Sequence, residues 1–558
     1  MKTMNYQKYK PYPPVHLKNR RWPDHTITKA PIWCSVDLRD GNQALEIPMN
    51  LEQKLKLFRF LVKMGFKEIE VGFPAASETE FKFLRKLIED DLIPEDVTIQ
   101  VLTQAREHII RRTFEALEGA KRAIVHLYNS TSVLQREVVF KKNKEEIKAL
   151  AVEGTKIVKA LADEREKGSI ILEYSPESFT GTELDYAIEV CEAVMDVWQP
   201  TPEYKAIINL PATVEMSTPN IYADQIEYFG DHIKGRDSII ISVHAHNDRG
   251  TAVAATELAM LAGAERVEGT LFGNGERTGN ADIITLGMNL FSQGIDPALD
   301  FSDANAIVNI YKETVRMDVS PRHPYVGDLV YTAFSGSHQD AIKKGMDRYR
   351  KEKPKYWEVP YLPIDPMDIG RTYDPIIRIN SQSGKGGVSY ILENEFGFRL
   401  PRAMQQEFSV IITNESDSKQ EELTPQMIYD TFVREYINVN SPVSLKTFNI
   451  TTEEDLITIS AVANINGVET QLSGEGNGPI DALCNSLRQY APVSFKVVDY
   501  QEHSLEQGSN SRAVSYIRLQ DENGNAYFGA GIHSNISTSS LKAFISAFNK
   551  MVNSLTKQ

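Results

Sequence analysis

Cysteine is scarce in this chain: three in 558 residues, Cys34, Cys191 and Cys484, far apart and in no zinc or redox spacing. That excludes a disulfide framework and fits a reducing compartment, so a cytoplasmic protein is expected. No apolar run is long enough to span a membrane, and there is no secretory h-region. Basic charge is also in deficit. Sixty-one Lys and Arg face 76 Asp and Glu, a formal net charge of −15, which argues against a general nucleic-acid binder. What remains is a globular composition on a chain too long for one core, so two or three domains are expected.

The first 30 residues stand apart. Lys2, Lys8, Lys10, Lys18, Arg20 and Arg21 precede any acid, the first being Asp24. Pro11, Pro13 and Pro14 interrupt any amphipathic helix, so the stretch reads as an extended arm that packs on a neighbour or stays mobile rather than as a transit peptide.

From Pro31 onward a unit repeats. A short β-branched run ends in polar residues, Gly or Pro, and a helical period follows. The runs are Ile32–Leu38, Glu68–Phe73, Thr98–Leu102, Ala123–Leu127, Ile170–Tyr174, Ala206–Leu210, Ile239–Val243 and Val267–Leu271. Helical patterns lie between them, among them Glu52–Met64, Glu78–Glu89, Lys144–Glu164, Glu183–Val197 and Thr251–Ala262. Strand–helix alternation implies a parallel sheet, and eight units in about 260 residues predict a (β/α)8 TIM barrel. A doubly wound open sheet would show a Gly-rich phosphate turn after the first strand, whereas Arg39-Asp40-Gly41-Asn42-Gln43 stands there.

Barrel active sites are built where the strands end, and the polar residues cluster there. His244 and His246 follow a strand at a spacing of two, so their imidazoles point the same way. Such a pair alone is more often structural. Closing the barrel sets the eighth strand beside the first, which brings Asp40 and Asn280 to the same rim. Two imidazoles, a carboxylate and an amide oxygen suit a divalent ion with open positions. The rest is ambiguous taken singly. Arg39 and Asp40 could be a surface ion pair, Gly273–Asn280 a flexible loop, Glu177 a solvated acid, and His126 either core or substrate contact.

Taken together, Leu38–Gln43, Val125–Ser132, His244–Gly250, Gly273–Asn280 and Asn380–Gly387 resemble the 2-isopropylmalate synthases, nearly end to end. The Arg-Asp-Gly and His-x-His elements are shared with homocitrate and citramalate synthases, which stay open as the alternative. The resemblance implies an acyltransferase. It condenses acetyl-CoA, the co-substrate, with 3-methyl-2-oxobutanoate, and hydrolysis of the thioester then gives 2-isopropylmalate and CoA, committing carbon to leucine. The implied cofactor is a divalent metal, magnesium first, with manganese and zinc open, on Asp40, His244, His246 and Asn280. Arg39, His126, Ser175, Asn209 and Thr213 are the implied keto-acid contacts, with Glu177 and Leu102 near the branched end or the bond-forming carbon. Arg39, Glu177, Glu276, His338 and Tyr373 are the implied catalytic set. His338 comes after the barrel, so a linker must deliver it, from the partner subunit of a homodimer. Lys385 sits in no Walker loop; it is a linker turn or a coenzyme A contact.

After about Pro425 an internal duplication is visible. A strand Ile457–Ile465, the turn Asn466-Gly467, a strand Val468–Leu472 and a helix from Pro479 make the first copy. Ala513–Leu519, Asn523-Gly524, Ala526–Phe528 and a helix from about Ser537 make the second. Each Asn-Gly signals a hairpin. The following glycines, Gly474–Gly478 and Gly529–Gly531, read as turns that lead into helix N-termini. The expectation is an α+β domain of two β-hairpin–helix units. In the resemblance this is the leucine-sensing domain, with Ile480, Tyr500, Ser504 and Ile532 as pocket residues. Expected boundaries are 1–30 for the arm, 31–325 for the barrel, 326–430 for mixed helical linker subdomains and 431–558 for the regulatory domain.

Overall fold

The structure is a computed structural model. It describes residues 8, 10–333, 336–371, 385–419, 423–454, 456–488, 490, 494–506, 508 and 511–555. These residues form two compact units, Met1–Val330 with Ile364–Thr372 and Tyr331–Pro363 with Tyr373–Gln558.

The first unit is the closed parallel barrel that the alternation predicted, with strands in chain order. They are β1 (Ile32–Ser35), β2 (Glu68–Gly72), β3 (Thr98–Gln104), β4 (Ala123–Ser130), β5 (Ile170–Glu177), β6 (Ala206–Ala212), β7 (Ile239–Ala245) and β8 (Arg266–Gly269), and β8 pairs back onto β1. The helices between them are α1 (Leu51–Met64), α2 (Glu78–Glu89), α3 (Glu107–Ala116), α4 (Lys144–Asp163), α5 (Leu184–Trp198), α6 (Pro219–His232) and α7 (Ala252–Leu261), with α8 (Ile283–Ser292) and α9 (Ala304–Thr314) after β8. The helix starts have local causes. Asn50 with Gln53, and Asn143 with Glu146, form reciprocal capping boxes that satisfy amides no helix can pair internally.

Three strands stop short of the predicted runs, β2 by one residue at Gly72, and the stops of β1 and β8 serve the rim. β1 ends at Ser35, and Asp37–Gly41 coil into a single wide turn with π-type hydrogen bonding. β8 ends at Gly269, and Leu271 donates its amide to the buried Asp37 carboxylate at 3.0 Å. A π-turn inserts a residue into the helical spacing and re-aims the side chains around it, here Arg39 and Asp40.

The basic arm lies on its own barrel, so the expectation of a neighbouring or mobile segment does not hold from Tyr12 on. Arg20 forms a two-pronged pair with Asp224 of α6 at 2.6 and 2.7 Å. Trp22 is buried, with its indole N–H on the same carboxylate at 2.8 Å and its amide on Glu227 at 2.8 Å. The unmatched cations of the sequence meet a row of acids on one helix face.

In the second unit, α10 (Gly336–Glu352) packs Ile342 and Met346 on Val359 and Leu362. Helices α11 (Lys385–Phe396), α12 (Arg402–Lys419) and α13 (Pro425–Tyr436) share a core with Tyr516 and Phe528 of a three-stranded sheet. That sheet is β12 (Phe495–Ser504), β13 (Ala513–Asp521) and β14 (Ala526–His533), followed by α15 (Ile536–Leu555). Its sequence twin is β9 (Val443–Glu453), β10 (Leu456–Ile465) and β11 (Val468–Gly476), followed by α14 (Pro479–Arg488). Both sheets and both helices enclose one hydrophobic core.

The duplication is therefore real, but each unit is three strands and a helix. The extra strands, β9 and β12, are sheet edges carrying mostly polar residues, which hides their period. The predicted glycine turns are also corrected. Gly474 and Gly476 lie in β11 and Gly529 and Gly531 in β14, where the helix backbone crosses the strand. A Cβ on Gly474 would sit 2.3 Å from the Ala482 carbonyl, and one on Gly529 would sit 2.2 Å from the Ala547 amide. These glycines set the closeness of helix and sheet and do not present helix amides to a ligand.

Candidate active site and metal centre

At the C-terminal rim of the barrel, Nε2 of His244 and of His246 lie 3.8 and 3.9 Å from Oδ2 of Asp40. One ligand atom from each of the three falls within 4.8 Å of the others, and all three side chains are buried. These separations are too long for hydrogen bonds and suit a cation between the groups. Two of the three donors carry the right charge. Burial alone would raise the Asp40 carboxyl, but Arg39, His244, His246 and the Asn280 amide hold it down to about 2. Burial, with His244 alongside, holds His246 down to about 4, a neutral imidazole.

Asn280 arrives by a folded-back loop. After β8 the chain runs out through Gly273 and returns so that Asn280 bridges His246 and the Ala281 amide reaches the Ala245 carbonyl at 2.8 Å. The loop closes tightly because Gly275 and Gly279 are glycines: a Cβ would lie 2.1 Å from the Asn280 amide nitrogen or 1.8 Å from the Gly273 carbonyl. Asn280 gives its amide N–H to Asp40 at 2.7 Å, while its Oδ1 is buried with no hydrogen-bond partner among the described residues. A buried amide oxygen left unpaired is costly, and a cation at this rim would satisfy it.

Beneath the rim lies a polar floor that the sequence reading missed. Glu268 accepts Nδ1 of His244 at 2.8 Å, Gln100 at 2.9 Å, Asn209 at 3.2 Å and Arg266 at 2.9 Å. Glu70 binds Nδ1 of His126 at 3.0 Å and holds the Arg39 guanidinium, which donates in turn to Asp40 at 2.7 Å. His126 reaches Ser175 through Nε2 at 2.7 Å, and Asn209 reaches the same hydroxyl at 3.1 Å. Despite complete burial, which opposes it, Arg266 and the histidines keep the Glu268 carboxyl well below its usual range. Burial pushes Glu173 the other way, well up, and its oxygens face Arg266 at 3.5 Å and His126 at 3.6 Å. A signal was available: Glu68 and Glu70, and Arg266 and Glu268, are charged pairs at a spacing of two on strands, hence on one face.

Above this floor is a cavity of about 350 Å³. Arg39, Asp40, His126, Ser175, Glu177, Asn209, Thr213, His244, His246 and Glu276 all line it, as do Leu102, Phe73, Tyr128 and Pro211. Glu177 is held by the Ser130 hydroxyl, and Thr213 accepts the Ser178 amide at 2.9 Å. Both guanidinium groups in the wall are committed, Arg39 to Glu70 and Asp40, and Arg277 to Asp248 at 2.7 Å.

The remaining predicted residues belong to later parts of the chain. His338 is exposed in the first turn of α10, with its ring 4.1 Å from that of Tyr361. Tyr373 is outside the described residues, and of Lys385 only the helical backbone is described. Ile480, at the start of α14, packs on the shared core of the two sheets, and Ile532 of β14 packs on the α11–α13 core. Tyr500 of β12 meets the Ser540 hydroxyl at 2.9 Å, and Ser504 gives its hydroxyl to the Glu506 carbonyl at 2.7 Å.

Three family models match successive parts of the chain. Residues 30–310 fit the HMGL-like family model, 328–393 the alpha-isopropylmalate synthase post-catalytic domain-like model, and 422–552 the LeuA allosteric (dimerisation) domain model. The barrel with its rim site is thus an HMGL-like domain. The chain is 58% identical over 552 residues to a 2-isopropylmalate synthase of Acetoanaerobium sticklandii, covering 98% of this chain and 97% of that one. It is 58% identical over 555 residues to that of Clostridium acetobutylicum, covering 98% and 99%, and 55% identical over 549 residues to that of Rhodospirillum rubrum, covering 98% of each. The chain belongs to the 2-isopropylmalate synthases, an acyltransferase family.

Proposed function

We propose that this chain condenses acetyl-CoA with 3-methyl-2-oxobutanoate and hydrolyses the resulting thioester to 2-isopropylmalate and CoA, in the cytoplasm, as a homodimer inhibited by leucine. The observation that carries the reading is the convergence of Asp40, His244 and His246 over a cavity whose two guanidinium groups are already paired. A second carboxylate, as on 2-oxoglutarate, would need a free cation, whereas an isopropyl group needs apolar wall such as Leu102, Phe73 and Pro211 offer. That favours the branched keto acid over the homocitrate alternative.

Asp40, His244 and His246 would hold the divalent ion, magnesium first, with the unpaired Asn280 oxygen as a fourth donor. When bound, the ion supplies Lewis acidity at the ketone of a chelating 2-oxo acid. The chain's own groups do the rest. Arg39, fixed by Glu70 and Asp40 in the cavity wall, would stabilise the oxygen on which negative charge develops. Thr213, Ser175, Asn209 and His126 fix the keto acid by hydrogen bonds. A base takes a proton from the acetyl methyl, the new C–C bond forms at the ketone carbon, and the ketone oxygen takes up a proton. Water then adds to the thioester carbonyl, the C–S bond breaks, and CoA leaves as the thiol. We assign the base to His338 with Glu276 and Tyr373, and the carbon-side wall to Glu177. Leucine would bind the C-terminal domain near Ile480, Tyr500, Ser504 and Ile532, inhibiting because it binds two conformations unequally.

The test is release of free CoA thiol with 3-methyl-2-oxobutanoate, 2-oxoglutarate and pyruvate, with and without leucine and with the metal chelated. Fastest release with the branched keto acid, lost on chelation and reduced by leucine, is expected. Preference for either of the other acids would replace this reading with homocitrate or citramalate synthesis.

A further inference from the structure

The loop that carries Glu276 and Asn280 begins in a strained turn. Phe272 has φ 58° and ψ 15°, left-handed backbone that a residue with a side chain adopts at a cost, and that persists only where its surroundings fix it. Two rings do so. Phe272 meets Tyr311 of α9 edge-on with centroids 4.7 Å apart, and His323 edge-on at 5.1 Å.

His323 makes a second contact with the same loop. Its Nε2 lies 2.8 Å from Oδ2 of Asp282, with both side chains nearly buried. Asp282 is where the loop returns. It bridges Thr270 across the loop's base, and its carboxylate also caps α8 through the Ile284 amide at 3.0 Å. The other ring nitrogen, Nδ1, faces the Pro324 carbonyl at 2.9 Å. Both nitrogens of His323 therefore face oxygen acceptors, the arrangement of a ring that donates on both sides.

The residues around His323 form a rigid mount. The Gly327 amide reaches the His323 carbonyl at 3.0 Å, and a Cβ on Gly327 would fall 2.4 Å from the Pro321 carbonyl. Tyr325 ties this knot to α8 through Asn289 at 2.8 Å, and Asn289 is held by Glu257 of α7 at 2.8 Å. A group that grips the chain two residues from a ligand still sets that ligand's aim when everything between them is packed.

We propose that His323 is a positioning residue: by gripping Asp282 and bracing Phe272 it holds the return of the Gly273–Asn280 loop, and so aims Asn280 at the cation held by Asp40, His244 and His246. The inference rests on the metal reading above.

The experiment is Mn²⁺ binding to the full-length protein by calorimetry, for wild type, His323→Ala, His323→Phe, His323→Gln and His244→Ala, with cooperative melting checked for each. Phe keeps the ring against Phe272 and removes both donors; Gln restores a donor near Nε2. Affinity should fall by roughly tenfold in the Ala and Phe chains, return to within a few-fold in the Gln chain, and vanish in His244→Ala. Wild-type affinity in the Phe chain, or a Gln chain as weak as the Phe chain, overturns the role given to His323. Wild-type affinity in His244→Ala instead removes the metal assignment itself and the positioning role with it.

Discussion

Oε2 of Glu268 lies 2.8 Å from Nδ1 of His244, where the barrel floor touches the candidate metal rim. The contact takes Nδ1 out of play and leaves Nε2 facing Asp40 and His246, so the floor decides which nitrogen His244 presents. Glu268→Gln keeps the shape and removes the charge. Mn²⁺ affinity measured by titration should drop by about 10–100-fold, with CoA release in added divalent metal falling in step. Affinity equal to wild type would show that the carboxylate does not tune the rim.

Asp37 links pH to stability. Burial raises its carboxyl from 3.8 to about 7, against the pull of the Ser35 hydroxyl and the Leu271 amide. The folded state therefore holds a proton that the unfolded state has released, across the window from about 4 to about 7. Its contribution to stability is complete below the unfolded value and is lost as pH rises through about 7. Asp37→Asn, which still accepts the Leu271 amide, should flatten melting temperature against pH between 5 and 7.5 relative to wild type. Parallel curves for the two proteins would remove Asp37 from the account.

Gly529 has no room for a methyl group. The nearest atoms to an added Cβ are backbone, the Ala547 amide and the Ala543 carbonyl, so side-chain repacking offers no relief. Gly529→Ala should cost about 1–3 kcal/mol and lower the melting temperature, whereas Gly524→Ala, in an exposed turn with φ 86°, should cost less because it meets only local backbone strain. Equal melting temperatures for the two variants would contradict the helix–strand contact as the cause.

Tyr500 is 41% exposed and holds Ser540 of α15 through its hydroxyl. Under the proposed regulation, Tyr500→Ala should raise the leucine concentration needed for half-inhibition by tenfold or so, through loss of roughly 1.4 kcal/mol of binding, while the rate without leucine is retained. An unchanged inhibition curve moves the leucine site away from β12.

Much of this was written locally in the chain. The eight β-branched runs and the helices between them carry periods of two and of three to four residues, so the barrel was legible without coordinates. Asp40, His244 and His246 were legible for the same reason, since closure of eight strands fixes which ends are neighbours. The glycines of β11 and β14 were misread because glycine's two uses, left-handed turns and close backbone approach, look alike in a sequence.

What the tertiary structure alone decided is how each charge is matched. The basic arm found its acids on α6, some 200 residues along the chain (Arg20 and Asp224 are separated by 204). Glu70, Glu173, Glu268 and Arg266 became a buried network, and His323 met Asp282. A period records which face of an element is buried, and it is set by neighbours in the chain. Partners in a buried ionic network are chosen by angle and distance across the barrel, and no local pattern encodes those.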